Sequence, residues 1–93
     1  MIEAMRKSIH TPEQAALCRE LRAVREAAGL SQRALAAILK VPHSLIAKVE
    51  TAERRIDLVE FSRFVSACGS EPVEIFGRLA KHLPVARGNG GRK

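Results

Sequence analysis

Apolar residues along this chain recur at spacings of three and four, and no alternating run is bounded by hairpin turns. That pattern predicts helices and no strand. Thr11-Pro12-Glu13-Gln14 reads as a helix start, with Thr as cap and Pro at the first position. From there Leu17, Leu21, Val24 and Ala28 form one stripe at i, i+4, i+7 and i+11, and Gly29 ends it, so a helix is expected over about 12–28. A second helix, 32–39, is expected to start behind the Ser31 hydroxyl and to bury Leu35, Ala36 and Leu39. Lys40 and Val41 make a tight turn. Pro42 then opens a third helix over about 43–51, with Ile46 and Val49 facing inward. Ala36 falls where these two helices would cross. Asp57-Leu58-Val59-Glu60 is a capping box for a fourth helix over about 58–68. Its expected stripe is Leu58, Phe61, Val65 and Cys68, with Phe64 at the edge. Ser70-Glu71-Pro72 opens a fifth helix to about 83, with Ile75, Phe76, Leu79 and Leu83 as its apolar set, and Pro84 stops it. The expected fold is therefore all-α, a compact five-helix domain over 11–83. Residues 1–10 read as a flexible arm, with basic Arg6, Lys7 and His10, and 84–93 as a disordered basic tail.

Composition narrows the class. Ninety-three residues suffice for one small domain, and 46% of them are hydrophobic. With three Phe and neither Trp nor Tyr, the core must be aliphatic. No run of about 20 apolar residues could span a bilayer, and the start of the sequence carries no signal-peptide pattern, so a cytoplasmic protein without membrane association is expected. The net charge of +6 and the pI near 10.2 favour a polyanionic partner. Cys18 and Cys68 have no metal-type spacing and read as small buried hydrophobes. His10, His43 and His82 have no partner at a spacing that argues for a triad or a metal site, so no enzyme, cofactor or metal is expected. No small-molecule ligand is expected either, since so small a core leaves little room for a pocket.

Two short helices joined by a tight turn, one apolar inside and hydrogen-bonding outside, can present a helix to the major groove of DNA. The outer face of the third helix then carries the candidates for base readout: His43, Ser44 and Lys48, with Ala47 and Leu45 as possible contacts to a thymine methyl. Leu45 has a competing use, packing against the neighbouring helix or another subunit. Ser31 and Gln32 stand at the start of the second helix, where free N–H groups favour an anion. With Arg33, Lys40, Arg54 and Arg55 they are the candidate phosphate contacts. Between Ser31 and Arg55 lie five basic residues and two acids, half of the chain's excess charge.

The same residues carry a resemblance. Leu21-Arg22, Gly29-Leu30-Ser31-Gln32, Leu35-Ala36, Val41-Pro42, Ile46, Glu50, Leu58 and Gly69 resemble the Cro and lambda-repressor-like (Xre) helix-turn-helix family. The resemblance spans about Leu17 to Phe76. Two positions depart from it. Lys40 stands at a turn position often held by Gly, and Thr51-Ala52 replace an Asn-Gly pair. The resemblance implies a lambda-repressor-like fold in a protein of bacterial or phage type. It further implies a structural ion pair between Arg22 and Glu50, and a sequence-specific regulator of transcription. A repressor acting as a homodimer on an inverted repeat is the expected form. The fifth helix, through Phe76, Leu79 and Leu83, is the candidate dimer contact. The alternative is an antitoxin-like module that neutralises a protein partner and binds its own promoter. An RNA-binding role is disfavoured because exposed aromatics for stacking are scarce.

Overall fold

A computed structural model of the protein describes residues 11–83, and the expectations for 1–10 and 84–93 lie outside the described residues. Five helices follow in order: α1 (Pro12–Ala27), α2 (Gln32–Leu39), α3 (His43–Glu50), α4 (Leu58–Ala67) and α5 (Pro72–Ala80). Among the described residues there is no strand, and no helix is long and apolar enough to cross a membrane.

The starts are set by local chemistry. The Thr11 hydroxyl accepts from the Gln14 N–H at 3.2 Å and Ser31 accepts from Ala34 N–H at 3.0 Å. Asp57 and Glu60 form the reciprocal capping box, at 2.7 Å and 3.0 Å. The ends of α1 to α4 share one closure. In each, an N–H just past the helix reaches back five residues to a carbonyl: Leu30 to Arg25, Val41 to Ala36, Glu53 to Lys48 and Ser70 to Val65. This closure needs one left-handed residue. Gly29 and Gly69 supply it after α1 and α4, but Lys40 (φ 59°) and Ala52 (φ 64°) supply it on either side of α3. These are the two positions where the sequence departs from the family pattern. The turn keeps its geometry and carries the modest strain of a Cβ there.

The core comprises Ala16, Leu21 and Val24 from α1, Leu35 and Ala36 from α2, Ile46 and Val49 from α3, Phe61, Phe64 and Val65 from α4, and Ile75 and Leu79 from α5. Ala36, 3% exposed, sits at the α2–α3 contact as its small size requires. Some expected stripes shift. Ala28 is exposed because it caps α1 rather than continuing it, and Ala16 and Cys18 are buried instead. Leu58 is 73% exposed while Phe64 is 2% exposed, the reverse of the expected order. Leu58 is the first residue of α4, and a helical Cβ leans toward the N-terminus, so its side chain overhangs the end of the packed layer. The fifth helix stops at Ala80, and residues up to Leu83 continue as turns.

Candidate nucleic-acid interface

The recognition surface depends on how α3 is held. Its inward side buries Ile46 and Val49, and with them a charge, Glu50, at 4% exposure. Arg25 on α1 grips that carboxylate with two hydrogen bonds, Nε to Oε2 at 2.6 Å and Nη2 to Oε1 at 2.9 Å. Its remaining Nη1 donates to the Leu30 carbonyl at 2.8 Å, in the loop before α2. Gln32, the first residue of α2, donates to Glu50 Oε1 at 3.0 Å. One carboxylate thus ties the first three helices together. Burial alone would push the Glu50 carboxyl up. The hydrogen bonds from Arg25 and Gln32, with the positive charges of Arg25 and Arg22, outweigh it and hold the group below its ordinary range. The hydrogen bond to Glu50 likewise holds Arg25 above its ordinary value.

The expected ion pair of Glu50 with Arg22 is present, but it is the weaker of two. Arg22 stands 3.6 Å from Oε1 with half its side chain in solvent, whereas Arg25 is buried and bidentate. Helical register explains the order. At 100° per residue, Arg25 lies about 70° from the centre of the Leu17–Leu21–Val24–Ala28 stripe and Arg22 about 130°. Register sets Arg25 nearer the core than Arg22, while the carboxylate it meets depends on side-chain reach across 25 residues.

A second tie holds the same end of α3. The Cys18 thiol donates to the Val49 carbonyl at 3.2 Å. Burial pushes that thiol up, so it keeps the proton it donates. Both cysteines are free, and among the described residues no group of His, Cys, Asp and Glu is placed to hold a metal.

The outward side of α3 leaves most of the readout candidates accessible. His43, Ser44 and Lys48 are exposed and Ala47 is half-buried beside them. Thr51, one turn beyond Ala47, extends the same face, and the sequence reading missed it. Its hydroxyl is within reach of the Ala47 carbonyl at 3.1 Å and of Glu53 Oε2 at 3.1 Å. Leu45 does not belong to this face. It is half-buried in an apolar cleft of about 110 Å³ with Leu39, Val41, Ile56 and Phe64. Its packing role prevails over a methyl contact.

Among the candidate phosphate contacts, Ser31, Arg33, Lys40 and Arg55 are exposed, and Arg33 and Lys40 form no ion pair among the described residues. The other two are engaged. The Gln32 amide faces Glu50. Arg54 holds Glu60 through two hydrogen bonds of 3.0 Å and 2.9 Å and donates to the Arg55 carbonyl at 2.6 Å. That grip, with the Asp57 N–H, lowers the Glu60 carboxyl to about 2. Of the expected dimer contacts, Leu79 is 4% exposed and belongs to the core. Phe76 is 47% exposed, and Leu83 is half-buried in a groove beside it.

Two short helices joined by a tight turn, the second with a buried inner side and an open hydrogen-bonding outer side, define a helix-turn-helix DNA-binding domain. Residues 16–75 match the model of the helix-turn-helix domain family. The solved structure of an Xre-family-like protein from Pseudomonas syringae pv. tomato str. DC3000 is 39% identical, with a TM-score of 0.74 over 86% of this chain and 98% of that one. Among curated proteins none matches the chain significantly. The chain belongs to the Xre-type helix-turn-helix family of DNA-binding regulators.

Proposed function

We propose that the protein is a sequence-specific transcriptional repressor that binds an inverted-repeat operator as a homodimer. The observation that carries this reading is the outer face of α3. His43, Ser44 and Lys48 stand exposed on a helix fixed from behind, flanked by the exposed cations Arg33 and Lys40. Lys48 supplies donors to guanine, and His43 and Ser44 supply mixed donors and acceptors. Arg33, Lys40 and Arg55 set the register on phosphates. One such helix reads only a few base pairs. Two half-sites about 10 base pairs apart, or a multiple of that, would give useful specificity. Leu58, Val73 and Phe76 expose apolar surface around one shallow groove between α4 and α5, and a second copy is the partner assigned to this edge.

Selection from a random duplex pool tests the proposal, with sedimentation of the selected complex. An enriched inverted repeat holding two copies is expected. Lys48→Ala should then relax preference at one base position, and Arg55→Ala should weaken all sequences alike. Weak binding with no enriched sequence would refute the operator reading. A complex with one copy per site would refute the dimer.

A further inference from the structure

The backbone of α3 lies close to α1 and α2 and stands off from α4. The space between α3 and α4 is the cleft of about 110 Å³. Leu45 and Val49 of α3 line it on one side and Phe64 of α4 on the other, with Ile56 of the linker between them. Protein interiors are close-packed, so a gap at a helix–helix junction forgoes contacts that a ligand would supply. The small core argued against a pocket inside it. This one lies at the core's edge, where α3 gives way to the linker.

Charge sets the kind of ligand. Arg54, Glu60 and Arg63 also line the cleft, and all three reach solvent. Glu60 is already satisfied by the fork of Arg54, at 3.0 Å and 2.9 Å. Arg63 is exposed and forms no ion pair among the described residues. One cation is therefore left over beside an apolar cleft. The groove beside α1 has the opposite sign, with Glu13 and Asp57 as its charged lining. An apolar cavity of about 150 Å³ takes up benzene. The cleft, somewhat smaller but open to solvent, has room for a hydrocarbon body of about six carbons whose polar group stays in water.

We infer that the cleft between α3 and α4 binds a small apolar monocarboxylate of the size of benzoate. Its hydrocarbon body lies among Leu45, Val49, Ile56 and Phe64, and its carboxylate meets Arg63. The ligand packs α3 against α4, a helix to which Glu50 and Arg25 do not tie it. It sits behind α3, so His43, Ser44 and Lys48 stay open to DNA. Because the cleft exists only in the folded chain, the ligand also stabilises the domain. This inference does not depend on the operator reading, because it concerns the free protein.

Titration of the full chain with benzoate, followed by methyl NMR spectra in the absence of DNA, tests it. Saturable binding of one benzoate per chain is expected at roughly millimolar concentration. The methyl groups of Leu45, Val49 and Ile56 should shift, and those of Leu58 and Val73 should not. Benzylamine has the same ring with the opposite charge, and acetate lacks the ring, so both should bind far more weakly. Arg63→Gln is a surface change that keeps the fold as read by circular dichroism. It should weaken benzoate roughly fivefold and leave the affinity for neutral benzyl alcohol unchanged. Ile56→Phe fills the cleft and should abolish binding of both. Binding that does not saturate, or shifts confined to the α4–α5 groove, overturns the inference. Equal affinity for benzylamine and benzoate, or no loss of benzoate affinity in Arg63→Gln, overturns the pairing of the carboxylate with Arg63.

Discussion

Arg25–Glu50 and Arg54–Glu60 are the same chemical pair in two settings. Each is a guanidinium held to a carboxylate by two hydrogen bonds. The first is almost wholly out of water, with 10% and 0% of the two side chains exposed, and the second stands at the rim with 37% and 34% exposed. Desolvation makes the first a matter of the fold. Removing one partner strands a charge in the interior, whereas the rim pair leaves both groups to water when broken. The rim pair matters instead for charge accounting at the interface, because Arg54 cannot serve Glu60 and a phosphate with the same fork.

The largest effect should come from Glu50→Gln, a loss of about 3–5 kcal/mol in urea unfolding, since Arg25 would be left buried without a counter-charge. Converting both residues, with Arg25→Met and Glu50→Leu, should restore most of that loss. If the double change is as damaging as the single one, the pair contributes net attraction and not only avoided desolvation. Acid should weaken both pairs. Glu50 titrates below its ordinary value in the folded state. Its contribution is complete above the unfolded carboxyl range and is lost as pH falls through the folded value. Glu60, held at about 2, behaves alike, losing its contribution between about 4.5 and about 2. Stability measured from pH 7 down to pH 2 should therefore fall in the native protein, and less steeply in Glu60→Gln.

At neutral pH Glu60→Gln should cost less than about 1 kcal/mol, because the pair is exposed and Gln keeps an acceptor for the capping box. It should release Arg54 for phosphate and steepen the salt dependence of DNA binding by up to about one counterion. An unchanged slope would mean that Arg54 does not reach the backbone. The smallest change is expected for Lys40→Gly. Relief of the left-handed residue should add up to about 1 kcal/mol of stability while loss of the cation weakens DNA binding. If stability falls instead, the entropy of an added glycine outweighs the strain at this turn.

The contrast between the pairs also marks what could be read from the sequence. Helix starts were legible because Ser31, Asp57-Glu60 and Thr11 act within four residues of themselves. The helix pair and its outer face were legible because Ile46 and Val49 orient α3 and leave Ser44 and Lys48 outside. The ion pairs were not, since they join residues 25 and six apart through side-chain reach that periodicity does not encode. Arg54 and Gln32 were read as groups for phosphate because their partners could not be seen. Leu58 and Leu79 exchanged their expected roles for a similar reason: the first residue of a helix overhangs, and a residue in the last turn leans back over the helix and is covered by neighbours from α1 and α4.

The reach of Arg25 has a consequence for motion. The same side chain holds Glu50 at the end of α3 and the Leu30 carbonyl before α2, and Gln32 shares the carboxylate. α3 cannot lift without releasing contacts of both other helices. Its central amides should therefore exchange with solvent only when the whole domain opens, with protection equal to that of α1. A regulator built this way meets DNA with its reading helix already formed, so binding carries no folding cost for α3 and little of the heat-capacity change that coupled folding would add.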